Sequence, residues 1–111
     1  MHKDTEYTIL DWSTIIDSVK PGEQGFSSTK ELRVADMKYR IIDYSPGYLA
    51  DHWCEKGHIV FVLEGTLISE LSDGSSSILS KGMGYVVSDH LSSHRSRTDV
   101  GAKLLIIDTI E

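Results

Sequence analysis

Short apolar runs separated by turn-forming residues dominate the chain after Gly25. Within most runs apolar and polar residues alternate, and no apolar period near 3.6 residues is sustained, which predicts β-strands rather than helices. We predict strands at residues 26–34, 37–44, 59–63, 66–71, 75–79, 85–87, 94–98 and 102–110. Strands of this number and length are typical of a closed barrel or a two-sheet sandwich, so we expect an all-β fold.

Three of these features carry more specific expectations. Asp73-Gly74 lies between two alternating runs and predicts a β-hairpin with a type I′ turn, since both residues tolerate positive φ. Glu64-Gly65 is expected to separate two strands. All five residues of the run at 59–63 are apolar, which predicts a strand buried on both faces.

The N-terminal residues follow a different pattern. Residues 9–13 predict a short strand or arm, after which Asp11 or Ser13 would cap a brief helical turn at 14–18. Pro21-Gly22 then ends any helix. We therefore expect an N-terminal arm at residues 1–25 and a barrel domain at residues 26–111.

The composition and charge of the chain argue against some classes of function. The chain has 111 residues, enough for one domain, and 11 basic against 17 acidic residues give a net charge of −6. This balance argues against a surface for nucleic acid or an anionic membrane, since both need a basic face, so neither is an expected partner. The longest apolar run is too short to span a bilayer. The single cysteine suits a reducing compartment and the N-terminus lacks the apolar core of a signal peptide, so we expect a cytoplasmic protein.

The candidate chemistry lies in residues 51–58 and at His94. Residues two apart in a strand face the same side, so His52 and Cys54 would project together, and His58 would follow on the next strand. Imidazole and thiolate are good ligands for borderline divalent ions, zinc above all. A lone histidine or cysteine is more often structural, but three such residues within seven positions favour a metal site of His52, Cys54, His58 and His94.

Other polar residues near these motifs are weaker candidates. Arg95 and Lys56 would hold an anionic group, and one of four tyrosines would donate a proton, namely Tyr39, Tyr44, Tyr48 or Tyr85. For each of them a solvated charge or a packed ring is the simpler interpretation. His90 is expected at the surface, and no residue is assigned a catalytic role.

These motifs resemble the cupin superfamily. Its first motif is a glycine, then His-x-His, a glutamate and a further glycine. Here Gly47, His52, Cys54, His58 and Gly65 occupy those positions, with cysteine for the second histidine and histidine for the glutamate. The second motif contributes one histidine after a glycine-rich hairpin, which matches His94 after residues 82–84. The proline, second glycine and final asparagine of that motif are absent.

A closer resemblance is to small single-domain cupins named for a DHCW motif. It is carried by residues 44–54, 56–58, 94–96 and 101–104, and here the order is Asp-His-Trp-Cys. This resemblance implies a single-domain cupin β-barrel, a double-stranded β-helix or jelly roll, with a metal pocket. It implies no particular reaction.

Three functions remain open. The first is an enzyme that uses a divalent metal, zinc first and iron, nickel, copper or manganese as alternatives, on a small polar metabolite. The second is a metal-holding barrel that binds a small molecule without turnover. The third is a metal-stabilised structural homodimer, with the arm at 9–12 as a candidate contact. A saturated four-ligand shell would favour the structural role, and an open position beside a polar cavity would favour the enzyme.

Overall fold

The structure, a computed structural model, describes residues 4–110. Within this range it has eight β-strands and no helix: β1 Ser18–Pro21, β2 Phe26–Val34, β3 Met37–Tyr44, β4 His58–Leu71, β5 Ser76–Ser80, β6 Gly84–Val87, β7 His94–Arg97 and β8 Ala102–Thr109. Residues 1–3 of the predicted arm and Glu111 lie outside the described residues. No helix of residues 4–110 is long and apolar enough to cross a membrane.

The strands form two antiparallel sheets that share β4. The larger sheet has the order β1-β2-β3-β8-β4-β6, in which β4 contributes its first half. The smaller sheet places β5 and β7 on either side of the second half of β4. Leu49 extends it through single bridges to Arg97 and Gln24. The all-β, jelly-roll prediction is confirmed, and the division at residue 25 stays a prediction.

β4 is continuous where the sequence predicted two strands. The register against β8 shifts between Val62 and Glu64, and Gly65 adopts a φ of +74°. A β-bulge with a left-handed glycine bends a strand without ending it. The prediction that Glu64-Gly65 separates two strands is therefore wrong, because these residues carry β4 from one sheet into the other.

The core lies between the two sheets. Val60 and Val62 of β4, with Leu67 and Leu104, are at most 2% exposed. Ile59 and Phe61, the alternating residues of β4, are 39% and 46% exposed. The prediction that this strand is buried on both faces is wrong, because within the described residues only its inner face is covered.

Two local predictions also differ from the structure. The hairpin at Asp73-Gly74 is present, but of these two residues only Gly74 has positive φ, which excludes a type I′ turn. The amide of Gly74 donates to Leu71 and the amide of Leu71 to Ser75, as in a three-residue loop.

No helical turn forms at 14–18. The carboxylate of Asp11 accepts hydrogen bonds from Ser13, but only one hydrogen-bonded turn follows, and β1 begins at Ser18. The β-branched residues at 14–16 disfavour continuation of a helix.

We predict that Gly65→Ala destabilises the chain far more than Gly74→Ala. Both glycines have positive φ, which costs an alanine about 1–2 kcal/mol. A Cβ at position 65 would also collide with the carbonyl of Gly101, whereas position 74 has nothing within 4 Å. We expect a loss of at least about 3 kcal/mol for Gly65→Ala, measured by urea unfolding. Equal losses would mean that the close approach of β4 to Gly101 does not matter.

Candidate metal centre

Backbone pairing brings the two distant parts of the candidate site together. Cys54 and His94 face each other in an antiparallel bridge, with N···O distances of 2.7 and 3.0 Å. His94 is the first residue of β7, and His58 is the first residue of β4. The segment between Cys54 and His58 turns at Gly57, whose amide donates to the carboxylate of Asp89.

Three of the four predicted ligands converge. The Sγ of Cys54 and one ring nitrogen from each of His58 and His94 all lie within 4.8 Å of one another. Sγ is 3.2 Å from Nε2 of His58. The two imidazoles meet edge to face, with ring centroids 5.3 Å apart. These separations are compatible with one small ion bound between the three atoms.

The protein orients both imidazoles through their other nitrogen. Nδ1 of His58 lies 3.0 Å from the carboxylate of Asp108, and Nδ1 of His94 lies 2.8 Å from the carbonyl of Ser92. While the imidazoles are neutral, each Nδ1 is the donor, so each Nε2 keeps a lone pair. Among residues 4–110, Nε2 of His94 is buried without a hydrogen-bond partner. An unpaired buried acceptor facing a thiol is what a bound cation would satisfy.

The surroundings of Cys54 also favour the deprotonated form of its thiol. The imidazole of His58, and next that of His94, stabilise the thiolate and lower the pKa of Cys54 to about 5. The same contact with Cys54 raises the pKa of His94 above its ordinary value. Thiolate is the form of cysteine that ligates metals. The donor set therefore fits a borderline divalent ion.

His52 lies outside this group. Its imidazole is 73% exposed, and its Nδ1 is 2.6 Å from the carboxylate of Asp51. Residues 51 and 52 form a bend and residue 53 is not in a strand, so the parity that predicted a shared face with Cys54 does not apply there. Ligation by His52 stays a prediction. His90 lies on an exposed turn, at the surface.

The three donors line a cavity of about 680 Å³ between the sheets. Its wall includes three tyrosines, Tyr44, Tyr48 and Tyr85, and the charged side chains of Arg40 and Glu31. Ile15 and Ile16 of the N-terminal segment contribute apolar surface. Such a volume is typical of a site for a small metabolite.

The tyrosines of the cavity are hydrogen-bond donors rather than acids near neutral pH. Burial raises the pKa of Tyr44 to about 12 and raises that of Tyr85 as well. Tyr44 stacks on Tyr48, with ring centroids 4.2 Å apart. Tyr39 pairs with Ile107 on the outer face of the larger sheet and does not line the cavity.

The two predicted anion-binding residues are already engaged. Arg95 contacts Glu70 at 2.9 and 3.0 Å and lies 4.8 Å from the ring centre of Trp53. Nζ of Lys56 is 3.4 Å from the hydroxyl of Thr109. Arg95 is therefore already paired with a carboxylate, whereas Lys56 contacts a neutral hydroxyl and does not line the cavity.

Asp108 and Arg40 support the candidate site and were not expected from the sequence. The side chain of Asp108 is 1% exposed, and its Oδ2 lies 3.0 Å from His58 and 3.1 Å from Arg40. On β8 it has the same parity as Leu104 and Ile106, so a carboxylate occupies a core position. This alternation was the signal in the sequence, because it places Asp108 on the inner face. A carboxylate buried there requires hydrogen-bonding or charged partners.

Solved structures show the same architecture at low identity. A polyketide cyclase from Streptomyces resistomycificus has a TM-score of 0.79 and 16% identity, over 96% of this chain and 81% of that one. A cupin-2 domain from Rhodospirillum rubrum gives 0.74 and 15%, over 98% and 78%. A sugar phosphate isomerase of the cupin superfamily from Silicibacter pomeroyi gives 0.71 and 23%, over 94% and 76%. No family model and no curated protein matches the sequence.

The strand that carries His94 is held by a cluster of charges. Glu70 of β4 binds both Arg95 and Arg97 of β7, at 2.9 and 3.0 Å. Arg95 first, and then Arg97, lower the pKa of the Glu70 carboxyl below its ordinary value. The folded chain therefore favours the carboxylate, and this stabilisation is present at neutral pH and lost as the pH falls through and below the carboxyl range.

We predict that Glu70→Gln lowers stability at pH 7 and flattens its decline in acid. The difference from the native chain should shrink as the pH falls below the ordinary carboxyl range, and should vanish only where Glu70 is protonated in both the folded and the unfolded state. Thermal unfolding between pH 7 and pH 3 measures this. Glu64→Gln, an exposed glutamate on the same strand, is the control and should leave the profile unchanged. A parallel shift at every pH would contradict the assignment.

Proposed function

Because the chain has the cupin fold, we propose that it holds one divalent metal ion through Cys54, His58 and His94. We propose further that the ion binds or converts a small polar molecule in the adjoining cavity. The observation that carries the proposal is the convergence of three ligand atoms within 4.8 Å at the wall of a 680 Å³ cavity.

The donor chemistry supports zinc first. One thiolate and two imidazoles suit zinc, and iron, nickel, copper and manganese are the alternatives. Three protein ligands leave a coordination position for water or a ligand, as in catalytic rather than structural zinc sites. When bound, such an ion supplies Lewis acidity to an oxygen of the ligand or to water.

The remaining residues give the cavity its polarity. Asp108 holds the imidazole of His58, and Arg40 balances the charge of Asp108. Tyr44 and Tyr85 remain protonated and donate hydrogen bonds to oxygen atoms of a ligand. These contacts favour a small molecule rich in hydroxyl, carbonyl or carboxylate oxygen. A purely structural homodimer site has less support, since it needs no cavity.

A second candidate function is nucleophilic catalysis by Cys54 without a metal. Its Sγ lies 3.2 Å from Nε2 of His58, and Nδ1 of His58 lies 3.0 Å from Asp108. This is the order of a nucleophile, a base and an orienting carboxylate. A tightly bound stoichiometric metal would occupy the lone pairs of both Cys54 and His58 and so argue against it.

We predict that the purified protein contains about one metal ion per chain. Cys54→Ala should lose most of the metal, because one of three ligands is gone. His52→Ala is the matched control and should keep it. Elemental analysis of untagged protein measures both, and a chelator should lower the melting temperature of the native chain. An unchanged metal content in Cys54→Ala would show that the cysteine is a packing residue rather than a ligand. Loss of metal in His52→Ala would show that His52 is a fourth ligand.

We also predict that Asp108→Asn weakens metal binding roughly 10–100-fold, because His58 loses the carboxylate that orients it and raises its basicity. Asp51→Asn is the control, since Asp51 contacts only the exposed imidazole of His52 among the histidines of residues 4–110. Competition with a coloured chelator gives both affinities. Equal affinities in the two variants would show that the Asp108 contact does not tune the site.

A further inference from the structure

The charge of the cavity wall differs from that of the whole chain. Three basic residues line the cavity, Lys20, Arg40 and Arg95, against two acidic ones, Glu31 and Asp51. The whole chain carries a net charge of −6. A divalent ion held by one thiolate would add positive charge to the same wall. The cavity therefore favours an anionic ligand in a protein that is acidic overall.

Arg40 is the arginine of this wall with unused hydrogen-bond donors. Arg95 donates from Nε and Nη2 to Glu70. The side chain of Arg40 is 21% exposed, and its Nη2 donates to Asp108 at 3.1 Å. Among residues 4–110, Nε and Nη1 of Arg40 have no acceptor. Because a guanidinium donates from every nitrogen, most of its donors remain available to a ligand.

Arg40 lies close to the three candidate metal ligands. Oδ2 of Asp108 is 3.1 Å from Nη2 of Arg40 and 3.0 Å from Nδ1 of His58. Nε2 of the same imidazole faces the sulfur of the candidate site. One carboxylate oxygen and one imidazole ring thus separate the guanidinium from the metal position. A molecule with roughly three to five carbon atoms is long enough to reach both.

The neighbours of Arg40 limit the charge of the anion. Glu31 is the direct partner of Arg40 across β2 and β3, and it also lines the cavity. The carboxylate of Asp108 lies on the other side of the guanidinium. Two carboxylates beside one guanidinium oppose a doubly charged group, such as phosphate, more strongly than a singly charged carboxylate. A carboxylate also matches the fork of N–H groups that a guanidinium presents.

We propose that Arg40 anchors a carboxylate of the ligand, and that the cavity selects small carboxylic acids whose other oxygen atoms reach the metal position. The second contact rests on the proposed function, whereas the first does not, because Arg40 offers its donors whether or not an ion is bound. Arg40 takes the role that the sequence predicted for Arg95 and Lys56. Glu31 disfavours groups with two negative charges.

Calorimetric titration of the zinc-loaded protein with malonate, succinate and glutarate tests the anchor. At least one of them should bind roughly 10-fold or more tightly than acetate, which has a single carboxylate, and than its own neutral diamide. Arg40→Lys keeps the charge but loses the planar fork, so it should abolish most of this preference. Arg33→Lys is the matched control, since Arg33 is 56% exposed and does not line the cavity, and it should bind as the native chain does.

Glu31→Gln tests the selection against doubly charged groups. The native chain should bind inorganic phosphate more weakly than it binds the best dicarboxylate. Removal of the negative charge beside Arg40 should tighten the binding of both probes several-fold, and that of phosphate more. This variant leaves Arg40 and Asp108 in place. It therefore decides the matter if Arg40→Lys fails to fold, and unchanged affinities would then overturn the proposal.

The zinc content of each variant separates this proposal from the proposed function. Protein that holds no zinc contradicts the proposed function. The anchor is then tested on the zinc-free protein, where succinate should still bind the native chain more tightly than Arg40→Lys. Equal binding of the acids and their diamides, or native affinity in Arg40→Lys, overturns the anchor. Tighter binding of phosphate than of every dicarboxylate overturns the selection for carboxylic acids.

Discussion

The bend of β4 at Gly65 is the constraint on which the architecture depends. Every strand except β1, β2 and β3 pairs directly with β4, and the strand changes sheets at a bulge where only a glycine fits beneath Gly101. Thr98, 1% exposed, joins the same point by donating to the carbonyl of Thr66 and accepting from the amide of Gly101. The first half of β4 thereby carries His58, while its second half holds β7 and His94.

A short chain of buried polar groups connects this framework to the candidate site. Arg40 contacts Asp108, Asp108 contacts His58, and His58 contacts Cys54. A buried carboxylate with two partners is a weak contribution to stability, since desolvation offsets much of the attraction. Its position beside His58 is better explained by orientation of the ring, because it leaves one imidazole nitrogen free to bind a ligand.

Most strand positions, and the choice of Cys54, His58 and His94 as candidate ligands, followed from the sequence because they depend on alternation, glycine at turns and motif spacing. Long-range facts did not follow. Periodicity could not show that the outer side of β4 lacks a cover, so Ile59 and Phe61 were expected inside. Nor could it show that residues 51 and 52 bend, which turns His52 toward Asp51, or that Asp108 ends an apolar strand inside the core.

The backbone bridge between Cys54 and His94 makes the positions of these two residues independent of the side chains they carry. Main-chain hydrogen bonds hold these positions opposite each other whatever their side chains are. Substitution of one of these residues by one with an oxygen or a nitrogen donor would therefore change the donor set of the site while leaving the backbone pairing intact. A single amino-acid substitution can therefore change the preference for one ion over another during evolution, without any change of fold.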